Sequence, residues 1–510
     1  MFQSSHVHLI GVFVFCCAIF SWAEERPNII LIMADDMGWS DIGCYGGEIE
    51  TPNIDRLASE GMLWTNFYNN GKCTTTRASL LTGLYPRNGG RGIELLDPRM
   101  LTLGEALGDA GYHTGLSGKW HNGSQAPHRP IDRGFASSYG LWDGCCNFFN
   151  PALADPKFKG GRIRFFGEND QRIESFPKEF FTTDAFTDHA METIRAQAKF
   201  GKPFFHYLPY TAPHYPLHAK PKDIAKYKGS YAEGWDALRK ARYQRQIELG
   251  LIDPATFPEP GKNPGNKPFE EGQNQDLEWE MLRMEVYAAM VDNMDQNIGR
   301  LLALLDELGI AENTAVMFLS DNGACAETPG GAGNTEHLPG PEQWYTHVGP
   351  NWAHAQNTPF RYYKSHTHEG GIATPFVIRW PARIAAGSRT NQTGHIIDFL
   401  PTFLAMAKSD YPNSRNGNTL IPVEGVNLLP VLSAKKPSID RPEPLFWFWS
   451  KKRAIREGDW KLVWLKKRWE LYNLKNDRTE TQDLSAQHPE KVAELARQWE
   501  DWAELTDVKY

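Results

Sequence analysis

The chain has 510 residues, 41% hydrophobic and 23% charged, with a formal net charge of -8. That length carries one large α/β domain and a smaller one. The acidic balance and the lack of a long basic run exclude a nucleic-acid partner, and an anionic substrate would need cations gathered locally against the overall charge.

Residues 9 to 20 form an apolar stretch that is short for a membrane span. Ser21-Trp22-Ala23 and then Glu24-Glu25 follow it. Small residues at 21 and 23 fit a signal-peptidase site, so residues 1–23 are read as a signal peptide of a secreted or periplasmic protein with no stable membrane anchor. The segment before the apolar stretch has no Lys or Arg, and an N-terminal anchor is the alternative. Of the seven cysteines, Cys16 and Cys17 fall in this segment. Besides Cys73, four remain that could pair (Cys44, Cys145, Cys146 and Cys325), and their spacing does not say how. No pair has zinc-site spacing. Asn122-Gly123-Ser124 and Asn391-Gln392-Thr393 are glycosylation sequons.

Asn28–Ala34 is an uninterrupted apolar run, the pattern of a central parallel strand. It ends in Asp35-Asp36, and ligands in open α/β sheets bind just past the carboxyl ends of strands. Adjacent carboxylates repel unless a cation sits between them; two solvated loop acids are the plainer reading. Thr51–Gly61 reads as a short helix with Pro near its start and Gly at its stop. In Cys73–Gly83, three threonines favour a helix start because their hydroxyls can take up free N–H groups. Arg77 shares a helix face with Cys73, and the helix N-terminus and the guanidinium both favour an anion there. Leu80 and Leu81 anchor the helix in a core. A buried cysteine at the head of a core helix is the bland alternative. Leu103–Gly111 is another short helix. If Tyr112–His121 is extended, Lys119 and His121 point to one side and Trp120 to the other. A cation and an imidazole on one face suit an oxyanion, and an ordinary edge strand is the alternative. Residues 124 to 180 read as loops.

A helix over Thr183–Ala198 leads to a strand over Pro203–Leu208. Prolines on both sides of His214 stiffen its backbone, and an imidazole suits proton transfer. His206 and His218 read as structural or solvated. Residues 219 to 275 form an insert with a helix over Gly234–Gly250 and a Pro/Gly-rich loop. Leu277–Leu308 is a long helix whose stripe of Met284, Tyr287, Ala288, Val291, Met294 and Ile298 is core. Thr314–Ser320 is a second buried strand, ending in Asp321-Asn322-Gly323. Asp35, Asp36, Asp321 and Asn322 together offer hard oxygen ligands, which suit calcium or magnesium better than zinc. Residues 324 to 355 read as Gly-rich surface loop, and His337, His347 and His354 are given no role. Ile372–Trp380 is an apolar strand, and a helix begins at Asp398–Leu404. From about 405 the character changes. Leu445–Trp449, Arg453–Trp464 and Trp469–Leu474 read as antiparallel strands, closed by an amphipathic helix over 488 to 505. There is no internal repeat.

The Cys73–Gly83 run resembles the sulfatase signature, in which Cys-x-Pro/Ala-x-Arg precedes a Leu-Thr-Gly ending. Thr75 stands where that family usually has Pro or Ala. Gly118-Lys119-Trp120-His121 resembles a second sulfatase motif, with Asn122 where Leu is more usual. His214 matches the histidine after the corresponding strand. Lys364, ahead of Glu369-Gly370-Gly371, matches a third segment, and His368 there fits the arylsulfatase branch. The motifs keep the family order over nearly the whole mature chain. The resemblance implies an α/β, alkaline-phosphatase-like fold: a mixed, mostly parallel sheet flanked by helices, with a small C-terminal antiparallel sheet plus helix. It implies a catalytic domain over 24–404, with the insert at 219–275, and a C-terminal subdomain over 405–510.

The same resemblance implies hydrolysis of sulfate esters. Cys73 would be oxidised by a formylglycine-generating enzyme to formylglycine, whose hydrate attacks sulfur. One calcium ion would be held by Asp35, Asp36, Asp321, Asn322 and residue 73, with Asp321 helping to activate the nucleophile. Arg77 and Lys119 would hold the nucleophile and spread charge. Lys364 and His214 would contact the sulfate, His214 protonating the departing oxygen. His121 would take a proton from the hemiacetal sulfate, expelling sulfate and restoring the aldehyde. The substrate would be a sulfated small molecule or a sulfated glycan, the glycan favoured by the secreted location and abundant Trp and Tyr. Two alternatives stand. A phosphomonoesterase or phosphodiesterase on the same scaffold would often keep the aspartates but lack the thiol and its arginine. A non-catalytic, sulfated-glycan-binding relative would keep Cys73 as a thiol, and Thr75 supports that reading.

Overall fold

The computed structural model describes residues 26–87, 96–259, 261–272, 276–331 and 333–510; the expected signal segment lies outside the described residues. Strands β1 (Asn28–Ala34), β2 (Met62–Tyr68), β3 (His113–Ser117), β4 (Ser137–Leu141), β5 (Phe166–Glu168), β6 (Gln171–Arg172), β7 (Phe204–Pro209), β8 (Thr314–Ser320), β9 (Ala373–Arg379), β10 (Ser388–Thr390) and β11 (Gly394–His395) form one sheet. Its order is β10-β2-β9-β8-β1-β7-β3-β4-β5-β6, with β11 on β2. β1 lies at the centre, parallel to both β7 and β8. β9 runs antiparallel between β8 and β2, so the sheet is mixed and mostly parallel.

The continuous apolar run of β1 follows from helices on both faces. Alternate side chains point to opposite sides of a strand. Ile30, Ile32 and Ala34 pack in one core with Met284, Tyr287, Ala288, Val291, Met294 and Ile298 of the helix Leu277–Glu307. Ile29, Leu31 and Met33 pack in the other with Leu80, Leu81, Leu103 and Leu107. The helices α1 (Pro52–Ser59), α2 (Cys73–Thr82), α3 (Leu103–Asp109) and α4 (Thr182–Ala198) fall where their sequence patterns place them.

Several expectations are corrected. Residues 124 to 180 contain β4, β5 and β6 and build one sheet edge; the sequence of β4, Ser-Ser-Tyr-Gly-Leu, lacks the β-branched residues that advertise a strand. The extended reading of Tyr112–His121 fails beyond Ser117, where β3 ends: Gly118 has φ 140° and His121 φ 58°, so Lys119 and His121 are not placed by strand alternation. Residues 324 to 355 are not all surface loop, because the helix Gly349–Gln356 buries Trp352, and His347 and His354 are buried too. The insert helix Gly234–Glu248 buries Arg242, which pairs with Asp41 at 2.6 Å and Glu48 at 2.7 Å. Cys44, Cys73, Cys145, Cys146 and Cys325 are all free thiols. Asn122 is fully buried, so its sequon is inaccessible in the folded chain, whereas Asn391 is exposed.

Past the main sheet, the short hairpin β12 (Ser414–Arg415) and β13 (Asn418–Thr419) precedes an antiparallel meander: β14 (Leu445–Trp449), β15 (Lys452–Glu457), β16 (Trp460–Leu465) and β17 (Arg468–Asn473). The helix Pro489–Leu505 covers it with Trp499 and Trp502. A buried polar cluster docks this sheet on the main one. Lys461 Nζ donates to Glu369 Oε1 at 2.8 Å and lies 2.8 Å from Glu480 Oε1. Arg478 Nε and Tyr68 OH donate to Glu369 Oε2 at 3.2 and 2.8 Å.

Buried neutral histidines make the fold acid-sensitive. Ser117 Oγ bridges His189 Nδ1 and His206 Nε2 at 2.7 and 3.0 Å. Burial pushes His206 down to about 3 and His218 to about 4. Their folded-state values lie below the unfolded one, so the unfolded chain takes up more protons as pH falls below about 6.5. Each imidazole then removes roughly 1.4 kcal/mol of stability per pH unit until its folded value is reached. The expected result is a urea midpoint that is level above pH ~6.5 and falls steadily toward pH ~4; equal midpoints at both ends would contradict it.

Candidate active site

Parallel register explains how distant residues meet. Ala34 pairs with Ser320, so Asp35-Asp36 and Asp321-Asn322 leave neighbouring strands at one level, past their carboxyl ends. β7 flanks β1 on the other side, Met33 opposite Pro209, and its following loop carries His214. Lys119 is placed by its N–H, which donates to Pro209 O at 2.7 Å. Cys73 is the first residue of α2, which stops at Gly83, where φ is 66° and the N–H donates to Ser79 O. Such a left-handed stop favours glycine. The threonines do not cap this helix as expected. Thr75 Oγ1 donates to Lys72 O, Thr76 Oγ1 accepts from Asn70 N–H, and Thr74 Oγ1 is buried with no partner.

The carboxylates are held by three cations. Arg77 Nε and Nη2 donate to Asp321 Oδ2 at 3.0 and 2.7 Å, and its Nη1 to Lys119 O at 3.0 Å. Lys119 Nζ donates to Asp35 Oδ2 at 2.6 Å and Lys364 Nζ to Asp36 Oδ2 at 2.7 Å. Asn322 Nδ2 donates to Asp36 Oδ1 at 2.7 Å, and the Asp36 N–H to Asp321 Oδ1 at 3.1 Å. Asp36 has φ 65°, a strained backbone of the kind that collects at functional sites. All these side chains are buried, as is Cys73.

The electrostatics follow from burial and pairing. Burial pushes Asp35 well up, against the pull of Lys119 and Arg77. Burial also opposes ionisation of Asp36, but Lys364, His214 and Lys119 outweigh it and hold that carboxyl far below its ordinary value. Burial raises the Cys73 thiol despite Lys119, Lys364 and Lys72 nearby. Burial pushes His121 and His214 well down, so both are neutral near pH 7.

The donor set fits a hard dication. Asp35 Oδ1 and Asn322 Oδ1 are buried without a hydrogen-bond partner, a costly state for oxygen acceptors. His214 Nδ1 faces Tyr215 O at 2.5 Å; a carbonyl only accepts, so this nitrogen carries the proton. The other nitrogen of the neutral ring then aims a lone pair at Asp36 Oδ2, 3.3 Å away, which calls for a cation or a proton between them. Asp35, Asp36 and His214 offer ligand atoms within 4.8 Å of one another. His214 Nε2 thus borders the oxygen donors expected from sequence. Each of the three acids has a cation of its own.

The structure brings Asp35, Asp36, Asp321, Asn322, Arg77, Lys119, His214 and Lys364 together around the head of α2. His121 borders them. Its ring lies against Gly144, where a Cβ would stand 2.5 Å from it, and its Nδ1 has no partner. Sequence reasoning missed Glu327, whose carboxylate takes hydrogen bonds from Lys72 Nζ at 2.5 Å and Tyr215 OH at 2.9 Å and lies 3.6 Å from Lys364 Nζ. It sits in the stretch read as surface loop, and no motif marks it.

A Sulfatase family model matches residues 27–409, and an N-sulphoglucosamine sulphohydrolase C-terminal model matches residues 360–506. The chain belongs to the sulfatase family. It is 34% identical to an uncharacterized sulfatase of Schizosaccharomyces pombe over 93% of each chain. It is 33% identical to an arylsulfatase of Klebsiella aerogenes over 81% of this chain and 93% of that one. The crystal structure of Ps i-CgsB in complex with k-i-k-neocarrahexaose matches with a TM-score of 0.70 and 27% identity, over 94% of this chain and 93% of that one. The sheet is that of the alkaline-phosphatase-like sulfatases, and this sulfatase is a sulfuric ester hydrolase. Among the described residues, no helix is long and apolar enough to cross a membrane.

Proposed function

We propose that this sulfatase uses residue 73 as formylglycine, with one calcium ion held by Asp35, Asp36, Asp321 and Asn322, to remove sulfate from a glycan or small-molecule ester. The observation that carries this reading is the pair of buried oxygens on Asp35 and Asn322 that lack a hydrogen-bond partner, beside three acid–cation pairs at the head of α2. The Cys73 sulfur here stands where formylglycine would carry its oxygen, and Cβ where it would carry the aldehyde carbon. As a thiol it is a weak nucleophile, because burial keeps it protonated. Formylglycine would supply a geminal diol as nucleophile, and the ion would supply positive charge against a sulfate oxygen.

The chain's own residues do the rest. Arg77 and Lys119 fix the nucleophile's surroundings through Asp321 and Asp35. Lys364 Nζ faces the sulfate position and offsets the charge that grows on its oxygens. His214, with Nδ1–H committed to Tyr215 O, presents Nε2 as the atom that carries the proton to the leaving oxygen; an anionic substrate beside it raises its proton affinity against the burial that depresses it. His121, with Nδ1 unpartnered, takes up the proton in the second half of the cycle. Placed acids and bases of this kind give roughly 10²–10⁴-fold each.

A glycan substrate is supported by the carrahexaose complex of Ps i-CgsB and by the rings of Tyr215 and Trp449 beside Lys364 and Lys72. The proposal includes maturation by a formylglycine-generating enzyme, export to the periplasm or medium after removal of 1–23, a catalytic domain over 24–404 and a C-terminal subdomain over 405–510.

Sulfate release from 4-nitrophenyl sulfate, lost on chelation and restored by calcium, is the expected result; faster release from 4-nitrophenyl phosphate would overturn it in favour of a phosphoesterase. Gly144→Ala is expected to lower kcat by about 10²-fold, because its methyl group displaces the His121 ring by on the order of 1 Å. Unchanged turnover by that variant would remove His121 from the cycle.

A further inference from the structure

Beyond the sulfate position, the mouth of the site carries cations that the hydrolysis does not use. Lys72 stands just before residue 73, and its Nζ lies 5.5 Å from the centre of the Trp449 ring. Lys452, from the start of β15, donates to Ser365 O at 2.6 Å, a neutral acceptor one residue beyond Lys364. The carboxylate of Glu327 already occupies this place, gripped by Lys72 and Tyr215 OH and close to Lys364. Its side chain is 35% exposed, so it can turn toward solvent. The mouth therefore holds a carboxylate on two hydrogen-bond donors with Lys364 close by, from three separate segments, while the hydrogen bond of Lys452 goes to a carbonyl.

We propose that Lys72 and Lys452 form a second anion subsite next to the sulfate position, for a substrate that carries a further acidic group, a sulfate or a carboxylate, over the Trp449 ring. This rests on the sulfatase reading above and adds the substrate class. Glu327 is the internal stand-in that such a group displaces. A partly buried ammonium without a carboxylate partner is costly, and that cost is relieved when the substrate supplies one. Burial and the neighbouring Lys72 charge bring Lys452 down to about 8, against the pull of Glu327. Two anions bound side by side also fit a chain whose overall charge is negative only if the cations are concentrated here.

Calorimetric binding tests it independently of turnover, in the full chain with Cys73→Ala. The probes are glycosaminoglycan- and carrageenan-type saccharides, each with the scissile sulfate alone, with a second sulfate, and with a uronate carboxylate. The expected result is about tenfold tighter binding of the doubly acidic forms, which is about 1.4 kcal/mol. Lys452→Met is expected to abolish that preference, Lys452→Arg to keep it, and Glu327→Gln to enlarge it by freeing Lys72. The sulfate and carboxylate arms show which acid is taken. Equal affinity for singly and doubly acidic forms, no binding of any of them, or a preference that survives Lys452→Met would each overturn the subsite. Sulfate release from 4-nitrophenyl sulfate judges the sulfatase reading separately, since that ester carries no second acid.

Discussion

Replacing Asp36 with Asn is expected to lower kcat/KM for sulfate release by about 10³-fold and to strip the protein of calcium. Asp36 is the carboxylate that Lys364 and Asn322 both hold, and His214 Nε2 faces it at 3.3 Å. The amide keeps the shape, and the main-chain N–H of residue 36 can still donate to Asp321 Oδ1. What disappears is the charge. Lys364 is then buried without its counter-ion, and the proposed dication would lose a ligand. Metal analysis of the purified variant against the native protein, with a sulfate-release assay on both, reads the two effects together. A variant that keeps calcium and activity would show that Asp36 only balances Lys364.

Lys461→Met is expected to cost about 3–5 kcal/mol of stability, because it leaves two buried carboxylates short of a cation. Lys461 is fully buried and serves Glu369 and Glu480 at once. Arg478 still reaches Glu369, but Glu480 loses its ammonium. Burial disfavours the Glu369 charge, yet Lys461, Arg478 and Arg456 outweigh it and hold this carboxyl at about 2. Its folded value is below the unfolded one, so its contribution is whole above about pH 4.3 and is lost only as pH falls toward 2. Acid weakening between about pH 6.5 and 4 therefore belongs to the buried histidines and not to this cluster. Lys491→Met, which breaks a more exposed pair with Glu457, is expected to cost less than about 1 kcal/mol. Urea unfolding of the two variants compares them directly, and similar midpoints would mean that the buried cluster does not dock the C-terminal sheet.

The strands Asn28–Ala34 and Thr314–Ser320 were legible residue for residue, since burial on both faces leaves an unbroken apolar run in the sequence. Their side-by-side placement follows from two such runs each ending in an acidic pair. Position 121 was not legible. A left-handed histidine leaves no mark in Gly118-Lys119-Trp120-His121, because the backbone there is dictated by packing of Gly118 on Pro209 O and of His121 on Gly144. Glu327 and Lys452 were hidden for a different reason. They come from a loop and a hairpin tip 125 positions apart, and only the docking of the C-terminal sheet brings them to one mouth. The threonines of α2 show the limit of local rules: their hydroxyls were expected on the free N–H groups, yet two turn to Lys72 O and Asn70 N–H, because tertiary packing offers other partners.

Residue 73 itself decides the account. Trypsin cuts after Lys72 and Arg77, so peptide mass spectrometry of the protein, produced with a formylglycine-generating enzyme present, reads the peptide 73–77 on its own. The account predicts the mass decrease of thiol-to-aldehyde conversion in the active preparation, rising in proportion to sulfate release. A fully active enzyme whose peptide 73–77 carries only the unmodified cysteine would contradict it.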